Sequence, residues 1–148
     1  MPETTALKVL FLGDGNSCCS QMAEALARAR RADQIEACSA GVDVCGVDVL
    51  AVAAMAEVGI DISGCRAKTI SELGDRSFDC VVTIGDRARQ HCPAFANGTT
   101  MVHWDMASPG GSPTVEATIP PDLEAYRRLR DRIVALVEAM PMSLQVKG

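Results

Sequence analysis

Aromatic side chains are nearly missing from this chain: three Phe, one Tyr and one Trp make up 3% of its 148 residues. Its core must therefore be aliphatic, and the stacking platforms that hold single-stranded nucleic acid are scarce. Positive charge is also short. Fourteen Lys and Arg against nineteen Asp and Glu leave a formal net charge of −5 at pH 7, which argues against binding driven by phosphate neutralisation, so no nucleic-acid partner is expected. No apolar run approaches the roughly 20 residues of a membrane span, and Met1–Ala6 lacks the basic and apolar regions of a signal peptide, so no membrane association is expected either. The seven cysteines are an odd number without a disulfide framework, and a reducing cytoplasm is the expected compartment. Repeats, low-complexity tracts and interdomain linkers are absent. With 48% hydrophobic residues, the expectation is one globular domain over residues 1–148, long enough to bury a core and too short for two.

The chain does contain alternating strand and helix patterns. Lys8-Val-Leu-Phe-Leu12 reads as a buried parallel strand, broken by Gly13 and Gly15. A helix is expected from Ser20 to about Arg31, with Met22, Ala23, Leu26 and Ala27 on one face and Arg28, Arg30 and Arg31 at a solvated carboxyl end. Ile35–Ser39 is a second strand, and a helix follows from about Val49 to Val58, stopped by Gly59. Phe78–Ile84 is a β-branched third strand, and Thr99–Trp104 a fourth. Ser108–Thr118 reads as a loop. Pro120-Pro121-Asp122 opens a last helix with Leu123, Tyr126, Leu129, Ile133, Leu136, Val137 and Met140 on its apolar stripe. This alternation predicts a parallel sheet covered on both faces, with its ligand site beyond the strand carboxyl ends.

The first strand-to-helix loop reads Gly13-Asp-Gly-Asn-Ser-Cys-Cys-Ser20. Backbone N–H groups entering a helix lack helical partners and can converge on an anion, and Gly15 and Asn16 tolerate the left-handed angles that such a nest needs. A merely structural turn fits that pattern equally well.

The longer string V-L-F-L-x-x-G-N-S-x-x-S-Q-M-A-E-A resembles the low-molecular-weight tyrosine phosphatase superfamily, and within it the thioredoxin-coupled arsenate reductases. Ser39-Ala-Gly-Val42, Met55–Ser63, Asp79-Cys-Val-Val-Thr83, His91-Cys-Pro93 and His103-Trp104 continue the resemblance in order. It implies a three-layer α/β/α fold on a four-stranded parallel sheet. It also implies a chemistry in which a cysteine thiolate attacks phosphorus or arsenic while an arginine fork holds the oxyanion, in a Cys-x5-Arg motif.

On that resemblance the nucleophile position is Gly13, the arginine position Cys19, and the general-acid position Ser108, in Ser108-Pro109. No cysteine in the chain has an arginine six residues on. A serine hydroxyl has far too high a pKa to replace a carboxylic acid, and Asp105 does not match the acid's position. Of the relay cysteines, Cys92 matches the second, while Gly85 stands at the first. The expected remnant is an oxyanion loop of Gly15, Asn16, Ser17, Cys18, Cys19 and Ser20, with Asn16 and Ser20 maintaining its shape. Asp14 beside it adds repulsion, so phosphate, sulfate or arsenate would bind weakly.

Some relatives hold potassium beneath the loop through Asn, Glu, Ser and Asp. Asn16, Glu24 and Ser39 match the first three, and Lys68 stands at the fourth, where an ammonium repels the ion and replaces its charge. Neither potassium, another metal nor a cofactor is expected. The implied function is a non-catalytic arsenate reductase-like protein with a binding or regulatory role, toward a weak oxyanion or an unidentified protein partner. The alternative is a thiol redox enzyme or sensor using Cys18 or Cys19 with Cys92, or a reductase or phosphatase of altered mechanism. Cys38, Cys45, Cys65, Cys80 and Trp104 read as packing residues.

Overall fold

An apolar strand with no polar alternation folds only where both of its faces are covered. The computed structural model places Leu7–Gly13 (β1) so, with Val9 and Phe11 buried on one face and Leu10 and Leu12 on the other. Residues 7–13, 19–42, 49–64, 68–73, 78–92, 99–104 and 123–139 are the ones the structure describes. Their elements run α1 (Cys19–Arg30), β2 (Ile35–Gly41), α2 (Val49–Ala56), α3 (Ile70–Leu73), β3 (Cys80–Ile84), α4 (Asp86–Gln90), β4 (Thr100–Trp104) and α5 (Leu123–Glu138). The four strands form one parallel sheet in the order β2-β1-β3-β4, as the alternation predicts.

The alternate strand residues divide the interior in two. Val9, Phe11, Ala37, Val82 and Ile84 meet α1, α2 and α5 in the larger core, where Tyr126, Leu129, Ile133 and Val137 form the buried stripe of α5. Trp104 packs there as expected, its ring 5.7 Å from that of Phe11. On the opposite face Leu10, Leu12, Ala40 and Val81 meet Ile70, Phe78 and Ala88, beneath α3 and α4.

Local chemistry sets the element ends. Gly59 adopts φ +81°, and Ile60 N–H donates to Met55 O while Gly59 N–H donates to Ala56 O, both at 3.0 Å. This is the paired bonding of a glycine-terminated helix. β3 starts at Cys80 rather than Phe78, because the Asp79 carboxylate accepts the Lys8 N–H at 2.8 Å in place of a ladder carbonyl. The short α3 and α4 were not anticipated: four or five residues are too few to show a helical period. Yet Thr69-Ile-Ser-Glu72 is a readable capping box, and Glu72 Oε2 accepts the Thr69 N–H at 2.9 Å.

The arginines closing α1 stand at the solvated end expected, with Arg28 and Arg30 exposed and Arg31 half-buried, but they are also bonded. Arg28 donates to Ala37 O at 3.2 Å, and Arg30 and Arg31 reach the side chain and carbonyl of Glu138, joining the ends of α1 and α5. The expected loop 108–118, the Pro120–Asp122 start and Met140 lie outside the described residues. Among the described residues no helix is long and apolar enough to cross a membrane.

Candidate functional site

Parallel strands bring their carboxyl ends to one edge of the sheet, and the β1–α1 connection opens there. Gly13 ends β1, and its carbonyl accepts the Val42 N–H at 3.1 Å, which ties it to the chain leaving β2. Cys19 and Ser20 open α1 and are both buried. Asp14, Gly15, Asn16, Ser17 and Cys18, the body of the expected oxyanion loop, lie outside the described residues, and so does Ser108. The two ends of the loop are nonetheless fixed.

Ser20 fills the space that a side chain on residue 13 would need. A β carbon built on Gly13 would lie 2.8 Å from Ser20 Oγ and 3.1 Å from Ser20 Cβ, well inside the ~3.5–4 Å of carbon contact. Any other residue at 13 must turn the Ser20 hydroxyl away and shift Ser20 Cβ by a few tenths of an ångström, while the Ser20 backbone nitrogen, at 3.8 Å, stays in ordinary contact.

Beneath that turn a buried carboxylate joins three parts of the fold. Glu24 is 7% exposed in its side chain, and its Oε1 accepts the Ser39 hydroxyl at 2.5 Å. Lys68 Nζ stands 3.6 Å from the same oxygen, and Arg28 is 3.1 Å from the other. Helix periodicity puts Glu24 on the β2 side of α1, and strand alternation turns Ser39 toward it. Lys68 arrives because Gly41 N–H donates to its carbonyl at 2.8 Å and Thr69 bridges to Gly41. The ammonium that the resemblance implied at this place is therefore beside the carboxylate.

The β3–α4 turn supplies the rest. Gly85 has φ +96° and donates to Trp104 O at 3.3 Å; a cysteine there would carry its β carbon on a backbone that L-residues rarely adopt. Cys92 is half-buried against the smaller core, on the face opposite Cys19, and burial raises its thiol pKa. Burial and the Asp79 charge push Cys80 up to about 11. The sequence does not disclose the contact between β3 and β4 at this edge. Thr83 Oγ1 lies 2.9 Å from His103 Nδ1, because the ladder sets these two residues side by side, and only the β3–β4 register could have revealed it. Among the described residues no group of three His, Cys, Asp or Glu side chains is placed to hold a metal.

Known proteins share this fold. The chain is 38% identical to an arsenate reductase of Halalkalibacterium halodurans over 125 residues, 84% of this chain and 88% of that one. It is 35% identical to an arsenate reductase of Staphylococcus aureus strain Newman over 134 residues, 90% and 95% of the two chains. A solved arsenate reductase in its oxidised state superposes with a TM-score of 0.74 at 29% identity, covering 93% of this chain and 98% of that one. Residues 8–147 match the low molecular weight phosphotyrosine protein phosphatase family, and to that family, beside its arsenate reductases, this chain belongs.

Proposed function

We propose that this protein is a non-catalytic member of its family that keeps the fold and a modified anion loop for a binding or regulatory role. The observation that carries this reading is the tip of β1. Gly13 offers no nucleophile, and the Ser20 hydroxyl occupies the space where one would begin. Cys19, at the position of the arginine fork, is packed with the larger core and brings no positive charge. Ser108 and Gly85 stand at the acid and first relay positions. The loss of a charge-assisted hydrogen bond, about 1.5–3 kcal/mol, lowers the affinity for a phosphate-like anion roughly ten- to a hundredfold, and Asp14 lowers it further. Phosphate, sulfate or arsenate is then a weak ligand at Gly15–Ser20, and a protein partner is the other occupant this reading allows.

The runner-up, a redox protein pairing Cys18 or Cys19 with Cys92, has less support, because Cys19 and Cys92 pack against opposite faces of the sheet. Both readings meet one experiment. Purified protein is mixed with arsenate, thioredoxin, thioredoxin reductase and NADPH, and separately with p-nitrophenyl phosphate. NADPH oxidation and phosphate release should both remain at background. Turnover of either substrate that disappears on mutation of a chain cysteine would refute the non-catalytic reading.

A further inference from the structure

The outward N–H and C=O groups of a sheet edge are a template for another strand unless something covers them. In parallel pairing, alternate residues of an edge strand bond inward and the others face out. The two edges of this sheet differ in their cover. On β2 the outward residues are Ile35, Ala37, Ser39 and Gly41, and local contacts block them. Ile35 N–H donates to Arg31 O at 2.7 Å, and Gly41 N–H donates to Lys68 O at 2.8 Å. The Arg28 guanidinium donates to Ala37 O at 3.2 Å. On β4, Thr100 N–H donates inward to Asp79 O at 2.9 Å, and Trp104 O accepts the Gly85 N–H at 3.3 Å. Thr100, Val102 and Trp104 therefore bond toward β3, and the backbone groups of Met101 and His103 face out. Those four groups have no partner among the described residues. We propose that this edge pairs with the same edge of a second copy of the chain, β4 against β4 in antiparallel, so that two four-stranded sheets join into one.

Three features fit the edge to a copy of itself. The open groups are symmetric about Val102. A two-fold axis there sets Met101 opposite His103 of the partner subunit, and facing residues of this kind exchange both N–H···O bonds. Two such pairs use every open group, with the two copies of Val102 side by side between them. Second, Thr100–Trp104 contains no Lys, Arg, Asp, Glu or Pro, so the usual blocks to edge pairing are missing and no like charges meet across the axis. Third, Met101 is 51% exposed, one of two large apolar side chains so open among the described residues. It stands beside Val81 in the ladder, on the face of the smaller core, and on the two-fold it would close against the ring of the partner's His103. A five-residue pairing buries less than the roughly 1,200 Å² of a stable interface, so the association is weak and depends on concentration. The β1–α1 loop takes no part in it, and the proposal stands apart from the non-catalytic reading.

The test is sedimentation equilibrium of the whole protein from low micromolar to near-millimolar concentration. The mass should climb from that of one chain toward twice that value and stop there. Met101→Lys puts two ammonium groups beside the axis and should hold the mass at one chain. Met101→Pro removes an outward N–H that β3 does not use and should do the same; Met101→Lys suffices if the proline variant does not fold. Val102→Cys should form a disulfide between its own two copies under mild oxidation. The two Cα atoms would stand about 4.5 Å apart, within the reach of that bond. A mass of one chain at every concentration would overturn the proposal and leave the edge free for a strand of another protein. A dimer that survives the Met101 substitutions, or growth past two chains, would overturn it as well.

Discussion

The two glycines with positive φ, Gly59 at +81° and Gly85 at +96°, differ in how visible they are before folding. Gly59 follows an apolar helical stretch, where a glycine cap belongs. Gly85 follows Thr83-Ile84 and reads only as the end of a strand; its angle arises from the turn into α4, which has too few residues to announce itself. Nothing lies within 4 Å of a β carbon placed on Gly59, so Gly59→Ala should cost only backbone strain, about 1–2 kcal/mol. Urea unfolding should show a lower midpoint at unchanged slope, and an unchanged midpoint would count against the left-handed cap. Ser39→Ala tests the buried carboxylate instead. Ser39 is fully buried, and removing a hydrogen bond to a charged acceptor costs about 1.5–3 kcal/mol. A thermal midpoint within error of the parent's would show that Glu24 does not depend on that hydroxyl.

Between elements, the contact that periodicity could not disclose is the seam of α2 and α5. The apolar stripe of α5 was readable residue by residue, but its polar edge has meaning only once α2 lies beside it. Arg127 Nε and Nη2 grip Glu57 at 2.6–3.0 Å. Buried Arg130 reaches the same carboxylate at 2.8 Å and the Ala54 carbonyl at 2.9 Å. The bonds from Arg127 and then Arg130 hold the Glu57 carboxyl at about 2, against an ordinary 4.5. Because the folded value is the lower one, this stabilisation is complete above about pH 4.5 and is lost as pH falls toward 2. Glu57→Gln should therefore reduce stability at pH 6 and flatten the decline in thermal midpoint between pH 5 and pH 2.5. Parallel curves for parent and variant over that range would mean that the seam does not couple to folding.

For the molecule as a whole, the alternation of apolar runs carried the parallel sheet and the edge on which a ligand would sit, since both follow from backbone geometry. The residues around that edge were legible only in part. Glu24, Ser39 and Lys68 could be named from the resemblance, but the approach of Ser20 to Gly13 and the Thr83–His103 contact depend on how α1 and β4 settle against their neighbours. That distinction governs what substitutions toward the family pattern would do under the proposed reading. Cys19→Arg returns a guanidinium to the end of the loop, and at about 1.5–3 kcal/mol for a charge-assisted bond sulfate or phosphate binding should tighten about ten- to a hundredfold in calorimetric titration. Adding Gly13→Cys returns a thiol only by displacing Ser20, so the double variant should unfold at lower denaturant than Cys19→Arg alone. Under the proposed non-catalytic reading, in which Gly85 stands at the first relay position, thioredoxin-coupled arsenate reduction should still stay at background, and Gly85→Cys would place a β carbon on a backbone at φ +96°. Unchanged anion affinity in Cys19→Arg would show that a side chain at 19, packed with the larger core, does not reach an anion at the loop, and coupled turnover in the double variant would show that the relay runs by another route.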